Sequence, residues 1–263
     1  MKHIGLSIIL VALLSLTLSA KEYTTIKDVV YRDGTSRCAV DISYIQGKEN
    51  RPVIIWFHGG SLTGREKFTP KEFLSSDYVV VSVEYRLYPD VAVKDIIDDA
   101  AMATAWIVNN IAEYGGSSDK IYLSGHSAGA YLVSMIALDK QYLGKYNVNP
   151  DTFAAIVPLS GQMMTHFTEK RSRGIPKTQP LIDEMAPLYH IRADSAPFVV
   201  VTGGRDLEMI CRYEENALFC ALMKHIGHPS VTLYEEDGFN HGKMLIPGYA
   251  ILMSLIAKNE KLK

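Results

Sequence analysis

This sequence has no excess of charge of either sign, and that lack limits its partners. Its 263 residues contain 27 basic and 29 acidic side chains, so the formal net charge is −2. Proteins that bind nucleic acid usually carry a basic surplus that neutralises phosphates. The balance therefore argues against nucleic acid as a partner. A hydrophobic content of 48% is that of a globular domain rather than of a disordered chain.

Cysteine is also scarce, with three residues in the whole chain. Cys211 and Cys220 fall in a segment with a helical pattern, where steps of about 100° place them on opposite faces. We therefore expect no bridge between them, and we expect all three thiols, Cys38 included, to be buried like small apolar side chains. The chain contains neither C-x-x-C nor H-E-x-x-H, so no metal-site spacing is present.

Long apolar runs are missing except at the start, which excludes a membrane protein with several spans. Lys2 and His3 precede an uncharged run at 4–20 that ends in small residues. This arrangement predicts a signal peptide at 1–20, cleaved after Ala20, and an exported, secreted or periplasmic bacterial protein. An uncleaved anchor and a core helix are the alternatives. The folded domain is then predicted at 21–263.

The rest of the chain alternates short β-rich segments with amphipathic helical ones, which predicts an α/β fold with a mostly parallel, eight-stranded sheet and helices on both faces. The first two predicted strands lie close together and alternate in polarity, as an antiparallel pair at a sheet edge does. The predicted strands are Thr25–Val30, Cys38–Tyr44, Val53–Phe57, Val79–Val83, Ile121–Ser124, Ala154–Leu159, Phe198–Thr202 and Val231–Tyr234. The predicted helices are Asp95–Tyr114, Ala128–Tyr142, Cys211–Ile226 and Ile246–Lys258.

A polar, basic stretch at 162–191, with three prolines, interrupts this alternation. Insertions of that length in a compact α/β unit are often functional. Two interpretations stay open at this stage: a lid or substrate wall, and a solvated surface excursion.

The motif G-x-S-x-G occupies 125–129, between a predicted strand and a predicted helix. A nucleophile in such a sharp turn needs small residues two positions before and two after it, and Gly125 and Gly129 fill those positions. The turn would expose the hydroxyl of Ser127 and leave the Ala128 N–H at a helix N-terminus, facing a developing oxyanion.

A serine nucleophile needs a base and an acid that orients the base. His241 follows the last predicted strand, at the end of the sheet where the nucleophile lies, so we predict it as the base. Asp206 is the first carboxylate after the Gly203–Gly204 turn and is the predicted acid; Glu208, two residues further on, is its rival. The order serine, acid, histidine is that of an α/β-hydrolase.

Tetrahedral intermediates also need backbone N–H donors. The predicted strand at 53–57 runs into His58, Gly59 and Gly60, and glycines let the backbone approach a ligand closely. We therefore predict oxyanion donors at Gly59 and Gly60 in addition to Ala128. An ordinary glycine turn is the alternative.

Together these motifs resemble the α/β-hydrolase esterases of the hormone-sensitive-lipase-like group, and in particular secreted bacterial acetyl and feruloyl esterases. The segments that carry the resemblance are HGG at 58–60, EYRLYP at 84–89, GHSAG at 125–129, GGRD at 203–206 and NHG at 240–242. The resemblance implies the catalytic roles given above, an ion pair between Arg86 and Asp98 or Asp99, and no cofactor. Two positions depart from the pattern: Ser61 replaces a further glycine, and Ala130 replaces the second glycine of the turn.

The sequence thus predicts a carboxylic-ester hydrolase that forms an acyl-enzyme on Ser127 and acts on small-molecule or carbohydrate esters, with short acyl or feruloyl groups. An amide hydrolase similar to aryl-formamidases is the close alternative. A non-catalytic binding protein on a hydrolase scaffold is a third hypothesis, although such proteins usually lack one of the three catalytic groups.

Overall fold

The computed structural model describes residues 22–261. The predicted signal peptide at 1–20 therefore lies outside the described residues and stays a prediction, as does the start of the catalytic domain at 21. Within the described part of the chain, no helix combines the length and the apolar character needed to cross a bilayer.

One mixed sheet of eight strands organises the molecule, in the order β1-β2-β4-β3-β5-β6-β7-β8. β1 pairs with β2 and β2 with β4 in antiparallel fashion, while all other neighbours are parallel. This confirms the predicted α/β-hydrolase architecture, including the antiparallel pair at one edge. The strands are β1 Thr24–Val30, β2 Ala39–Tyr44, β3 Arg51–Phe57, β4 Val79–Val83, β5 Gly116–His126, β6 Ala155–Leu159, β7 Phe198–Gly203 and β8 Val231–Glu236.

Six α-helices accompany the sheet in the described residues: α1 Val93–Asn110, α2 Ala128–Leu138, α3 Lys140–Gly144, α4 Phe167–Ser172, α5 Arg212–His225 and α6 Leu245–Lys261. The helix predicted over 128–142 is divided in two at Asp139. The backbone of Asp139 is extended there, and its carboxylate accepts the N–H of Gln141 at 3.1 Å. A side chain that caps a new helix competes with continuation of the old one.

The central strands are buried on both faces because successive side chains point to opposite sides of the sheet. Ile55 and Phe57 belong to the larger core cluster, which includes α1 and α2 residues. Ile54 and Trp56 belong to the second cluster, where Trp56 meets Tyr249 of α6 with ring centroids 5.5 Å apart. Continuous apolar runs such as 53–57 are therefore two-sided strands.

All three cysteines are free, so the prediction of no bridge between Cys211 and Cys220 is confirmed. Cys38 and Cys220 are buried as expected, but the expectation is wrong for Cys211, which is exposed. Cys211 lies just before α5 with a φ of 60°, outside the helix that its sequence pattern suggested.

The first part of the insertion at 162–191 packs onto the domain, whereas most of 171–180 is exposed. It contains α4, and Lys170 of that helix is 3% exposed. Thr168 donates its hydroxyl hydrogen to the carbonyl of Ser61 at 2.6 Å. The insertion therefore contacts the loop that follows β3, and both interpretations of its role stay predictions.

Of the two partners implied for Arg86, the structure selects Asp99. Arg86 donates two hydrogen bonds to its carboxylate, both at 2.7 Å, and Asp99 is fully buried. Asp98 instead accepts from Arg32 and Lys145, at 2.8 and 2.7 Å. The pair therefore ties the segment after β4 to α1, at a distance from the nucleophile turn along the chain.

Candidate active site

Ser127 lies at the turn between β5 and α2 with φ 55° and ψ −114°, a backbone conformation that residues other than glycine rarely adopt. The flanking glycines are sterically required. A Cβ on Gly129 would lie 2.1 Å from the Phe57 carbonyl oxygen, and one on Gly125 would lie 2.6 Å from the Gly129 carbonyl carbon. The sharp turn expected from G-x-S-x-G is therefore present, and it is packed against the end of β3.

The loop after β8 carries His241 to this turn. Its Nε2 lies 3.0 Å from the Ser127 Oγ. The loop is shaped by Asn240, whose side-chain oxygen accepts the N–H groups of Gly242 at 3.2 Å and Lys243 at 3.0 Å. The structure thus brings together the two predicted residues that stand 114 positions apart in the chain.

The carboxylate on the other side of His241 belongs to Glu208, which corrects the prediction of Asp206. Glu208 Oε1 lies 2.6 Å from His241 Nδ1. Asp206 is exposed, on the surface beside Arg205 and Glu235. After β7 the chain turns back, with the N–H groups of Leu207 and Glu208 both donating to the Gly204 carbonyl at 2.9 Å. This turn directs position 206 outward and position 208 inward.

Glu208 is buried, and its environment is built to hold a negative charge. Its side chain is fully inaccessible, and its oxygens accept hydrogen bonds from the Met209 N–H at 2.8 Å and the Gly203 N–H at 3.2 Å. Burial by itself raises the pKa of a carboxyl group, but His241, the Met209 N–H and the Ser160 hydroxyl outweigh it and lower the pKa of Glu208 to about 2. Glu208 is therefore ionised at neutral pH.

An ionised carboxylate only accepts hydrogen bonds. His241 must therefore carry its proton on Nδ1, and in the neutral ring Nε2 is left as an acceptor that faces the Ser127 hydroxyl. This is the arrangement in which a serine can lose its proton to a histidine while a carboxylate stabilises the imidazolium that forms.

Ser160 is a member of the site that the sequence interpretation missed. Its hydroxyl lies 2.8 Å from Glu208 Oε2 and 2.9 Å from His241 Nδ1, so it touches both members of the acid–base pair. It follows β6 with a φ of 52°, and its carbonyl accepts from the buried guanidinium of Arg212. A serine directly after a buried strand gives no motif in the sequence, and only the adjacency of β6 and β7 places it here.

His126 supports the loop that carries the base. Its Nε2 lies 2.9 Å from the His241 carbonyl oxygen, and the two rings are 4.6 Å apart. Burial, together with the neighbouring His241, lowers the pKa of His126 to about 3. His126 is therefore neutral and donates its Nε2 hydrogen to that carbonyl.

The glycine loop after β3 lies against the nucleophile turn. A Cβ on Gly59 would be 3.2 Å from the Ser127 Cβ, so the backbone of Gly59 is adjacent to the nucleophile. Gly60 has a φ of 122°, and a Cβ there would lie 2.2 Å from the Gly64 carbonyl oxygen. Ala128 begins α2, where the first N–H groups have no carbonyl partner within the helix. Their role as oxyanion donors stays a prediction, and the positions suit it.

Side chains behind this loop hold it in place. Glu84 accepts from the Lys67 N–H at 2.7 Å and from the Arg37 guanidinium at 2.5 Å, and its Oε1 lies 3.2 Å from His58 Nε2. Tyr85 donates its hydroxyl hydrogen to the His58 carbonyl at 2.6 Å and stacks on the His58 ring. Glu84 and Tyr85 of the EYRLYP segment thus hold the loop at His58, where it begins, and at Lys67 further along the chain.

A second serine–histidine pair exists at the opposite end of the sheet. Ser195 and His228 precede β7 and β8, and their Oγ and Nε2 atoms are 2.9 Å apart. His228 Nδ1 accepts the N–H of Ser230 at 3.1 Å, so the proton of the neutral ring is on Nε2. A nitrogen that already carries a proton cannot take one from Ser195, and this pair is structural.

Residues 22–261 contain no cluster of three or more histidine, cysteine, aspartate or glutamate side chains that could hold a metal ion.

Comparisons with known proteins concern the family and the fold of the chain. The profile of the BD-FAE family matches residues 40–219. The chain is 30% identical over 179 residues to LipM of Mycobacterium tuberculosis, named a probable carboxylic ester hydrolase, and the alignment covers 59% of this chain and 41% of LipM. The chain spans about half the length of the curated relatives that it matches, 41% of LipM and 52% of another.

Solved structures share the fold over almost the whole chain. Esterase Est2 of Thermogutta terrifontis, determined with butyrate bound, superposes with a TM-score of 0.71 at 21% identity, covering 91% of this chain and 94% of that one. A truncated carbohydrate esterase from gut microbiota superposes with a TM-score of 0.69 at 15% identity, covering 91% and 98%. At these identities the likeness concerns the fold.

Proposed function

The chain belongs to the BD-FAE family and has the α/β-hydrolase fold, and from this premise we propose that it is a serine carboxylesterase. The observation that carries the proposal is the relay of Ser127 Oγ to His241 Nε2 at 3.0 Å and of His241 Nδ1 to Glu208 at 2.6 Å. A scaffold that only binds ligands has no need for a nucleophile, a base and an ionised acid in one line of hydrogen bonds.

Acylation begins when the Ser127 oxygen attacks the ester carbonyl carbon and its proton passes to His241 Nε2. The carbonyl oxygen becomes an oxyanion, which the N–H groups at the start of α2 and in the glycine loop stabilise. Glu208 stabilises the imidazolium without taking its proton. As the tetrahedral intermediate collapses, the carbon–oxygen bond to the alcohol breaks and His241 donates the proton to the leaving alcohol, so Ser127 carries the acyl group.

Deacylation repeats these steps with water as the nucleophile. His241 removes a proton from the water molecule, hydroxide adds to the acyl carbon, and the proton returns to the Ser127 oxygen as the acid is released. His126 keeps the His241 loop in place during both halves through its hydrogen bond to the His241 carbonyl. Because this bond is to the backbone, both ring nitrogens of His241 stay available for proton transfer and for Glu208.

Short acyl groups, or a feruloyl group, on cell-wall carbohydrate are the proposed substrates. Support comes from the butyrate-bound Thermogutta esterase and the gut carbohydrate esterase, whose fold this chain shares. The apolar segment at 4–20 supports export to where such polymers lie. N-terminal sequencing of the exported protein checks that point, and a chain that still begins at Met1 would contradict cleavage.

A substrate panel tests the activity. We expect 4-nitrophenyl acetate and butyrate to be hydrolysed with a higher kcat/KM than the decanoate. We also expect acetylated xylan or methyl ferulate to be hydrolysed faster than N-formylkynurenine, an amide. A preference for the amide would replace this proposal by an amide hydrolase, and binding of these esters without turnover would point to a non-catalytic protein.

A further inference from the structure

A pocket of about 310 Å³ lies between the insertion and the N-terminal end of α5, next to the acid–base pair. Met209, which lines it, follows the acid Glu208 directly and donates its N–H to that carboxylate. Arg212, which also lines it, donates to the carbonyl of Ser160, whose hydroxyl touches His241. Two residues that line the pocket therefore contact residues of the catalytic site.

The wall of this pocket combines apolar side chains with polar and charged ones. The apolar side chains come from both the insertion and the loop before α5: Met164, Phe167, Pro180, Met209 and Ile210. Arg212 is 3% exposed and lines the same pocket. A guanidinium with so little contact to water normally needs a carboxylate beside it.

Among residues 22–261, no carboxylate forms a hydrogen bond with Arg212, and Glu215 and Glu208 act on it only through space. Its Nε is buried without a hydrogen-bond acceptor. Its one protein acceptor is the neutral carbonyl of Ser160. Burial lowers the pKa of Arg212, which is the physical signature of a charge that lacks full compensation.

The two carboxylates that act on Arg212 through space are engaged by other donors. Glu215 accepts the N–H groups of Met163 at 2.8 Å and Met164 at 3.0 Å. Glu208 is held by His241. Burial also raises the pKa of Glu215, which disfavours its charged form.

The remaining charges of the pocket are positive. Lys170 is buried, but its ammonium group is held by the carbonyls of Lys177 at 2.8 Å and Gln179 at 2.7 Å. Lys177 lines the pocket with its ammonium group 5.4 Å from the Phe167 ring centroid. The lining thus contains three cations and a single carboxylate, Glu215.

We infer that this pocket binds a carboxylate carried by the ester substrate, with the Arg212 guanidinium as its counter-ion. Arginine suits the role because its planar donors match a carboxylate in a bidentate way, and the apolar wall excludes water that would screen the pair. The inference rests on the proposed esterase function and adds a substrate class, namely esters with a free acid in the acyl or the alcohol part.

Matched pairs of esters test the inference. On the acyl side, mono-4-nitrophenyl glutarate is compared with the 4-nitrophenyl ester of its monoamide. On the alcohol side, 4-acetoxybenzoate is compared with 4-acetoxybenzamide. For each pair we divide the kcat/KM of the acid by the kcat/KM of the amide. In one of the two pairs we expect this ratio to be about tenfold higher in the wild type than in Arg212→Met. Comparing enzyme forms cancels the intrinsic reactivity of each ester.

Two further variants sharpen the comparison. Arg212→Lys keeps a positive charge without the planar fork and should retain part of the preference. Lys224→Met removes a cation from the exposed end of the same helix and should leave the ratio unchanged. Arg212 also holds Ser160, so the rate on neutral esters falls in its variants as well, and the ratio is the informative quantity.

A wild-type measurement covers the case in which Arg212→Met does not fold. Glutarate should inhibit hydrolysis of 4-nitrophenyl acetate with a Ki about tenfold lower than that of glutaramide. Equal Ki values for glutarate and glutaramide, or equal acid-over-amide ratios in wild type and Arg212→Met, overturn the inference. If the enzyme still hydrolyses 4-nitrophenyl acetate in that case, the esterase proposal stands. Absence of Ser127-dependent hydrolysis of any ester overturns the proposed function instead.

Discussion

The two ends of the parallel strands each bring a serine within hydrogen-bond distance of a histidine. At the carboxyl end Ser127 lies 3.0 Å from His241, and at the amino end Ser195 lies 2.9 Å from His228. The two distances are nearly equal, but the other ring nitrogen, Nδ1, faces a hydrogen-bond acceptor in one histidine and a donor in the other. A carboxylate faces His241 Nδ1, whereas a backbone N–H faces His228 Nδ1. The partner of the remote nitrogen decides which pair can transfer a proton.

Removing the two hydroxyl groups separates the pairs most strongly. We expect Ser127→Ala to lower kcat by on the order of 10⁴-fold or more, because Ser127 is the proposed nucleophile. Ser195→Ala is the matched control and should keep kcat within about twofold, since Ser195 lies at the far end of the sheet. Circular dichroism and an initial-rate assay on 4-nitrophenyl acetate provide the measurements. Equal losses in the two variants would contradict the assignment of the nucleophile.

Replacing each carboxylate by its amide tests whether the carboxylate beside His241 is what separates it from His228. Glu208→Gln should lower kcat by on the order of 10³-fold or more, because an amide no longer fixes the proton on Nδ1. Asp206 is exposed, so Asp206→Asn should change kcat by less than about twofold. Steady-state kinetics at neutral pH measure both. If Asp206→Asn were the damaging change, the acid would have to reach His241 in a different arrangement of the loop after β7.

The smallest effect is expected at Ser160. Ser160→Ala should lower kcat/KM about tenfold, because a hydrogen bond to the charged Glu208 is lost. Ser160→Gly is the matched control, since glycine adopts the φ of 52° without strain. Both variants should lose activity to the same degree. Full activity in Ser160→Gly would mean that the backbone conformation, and not the hydroxyl, is what the site needs.

Ser160→Ala should also change the pH dependence of stability. The pKa of Glu208 is lowered to about 2, in part by Ser160, so its charge stabilises the folded state above the unfolded-state pKa of a glutamate. This contribution disappears as pH falls through the folded-state value. The stability advantage of wild type over Ser160→Ala should therefore be present at pH 7 and shrink between about pH 5 and pH 2. Urea unfolding at several pH values measures it, and a constant difference would argue against the charge-based role.

Local patterns predicted much of the fold. The five residues 79–83 form the strand that their β-branched sequence predicts, and the order of the motifs along the chain anticipated the sheet. The turn at 125–129 was also accessible, because its glycines are required by contacts with the strand end at Phe57. Such features depend on neighbours in the chain or on a single packing contact, and a pattern of residue types can encode them.

The acid, by contrast, was misassigned by two positions. Asp206 and Glu208 lie in the same turn, and the choice between them depends on hydrogen bonds to Gly204 and on the space beside Gly203, where an added Cβ would lie 3.1 Å from the Glu208 carboxylate. Ser160 and Arg212 carried no motif at all. Their roles come from the adjacency of β6 and β7 and from the burial of α5.

The lack of charge excess holds for the chain as a whole, but not for each surface within it. Sequence alone determined the residue types available, the strand–turn–helix geometry of the nucleophile and the order serine, acid, histidine. Tertiary structure decided which carboxylate meets His241, which serine faces an unprotonated nitrogen, and where a buried guanidinium lacks a counter-ion. Those outcomes depend on contacts between distant segments, because burial and hydrogen bonding fix protonation and charge only once the partners are assembled.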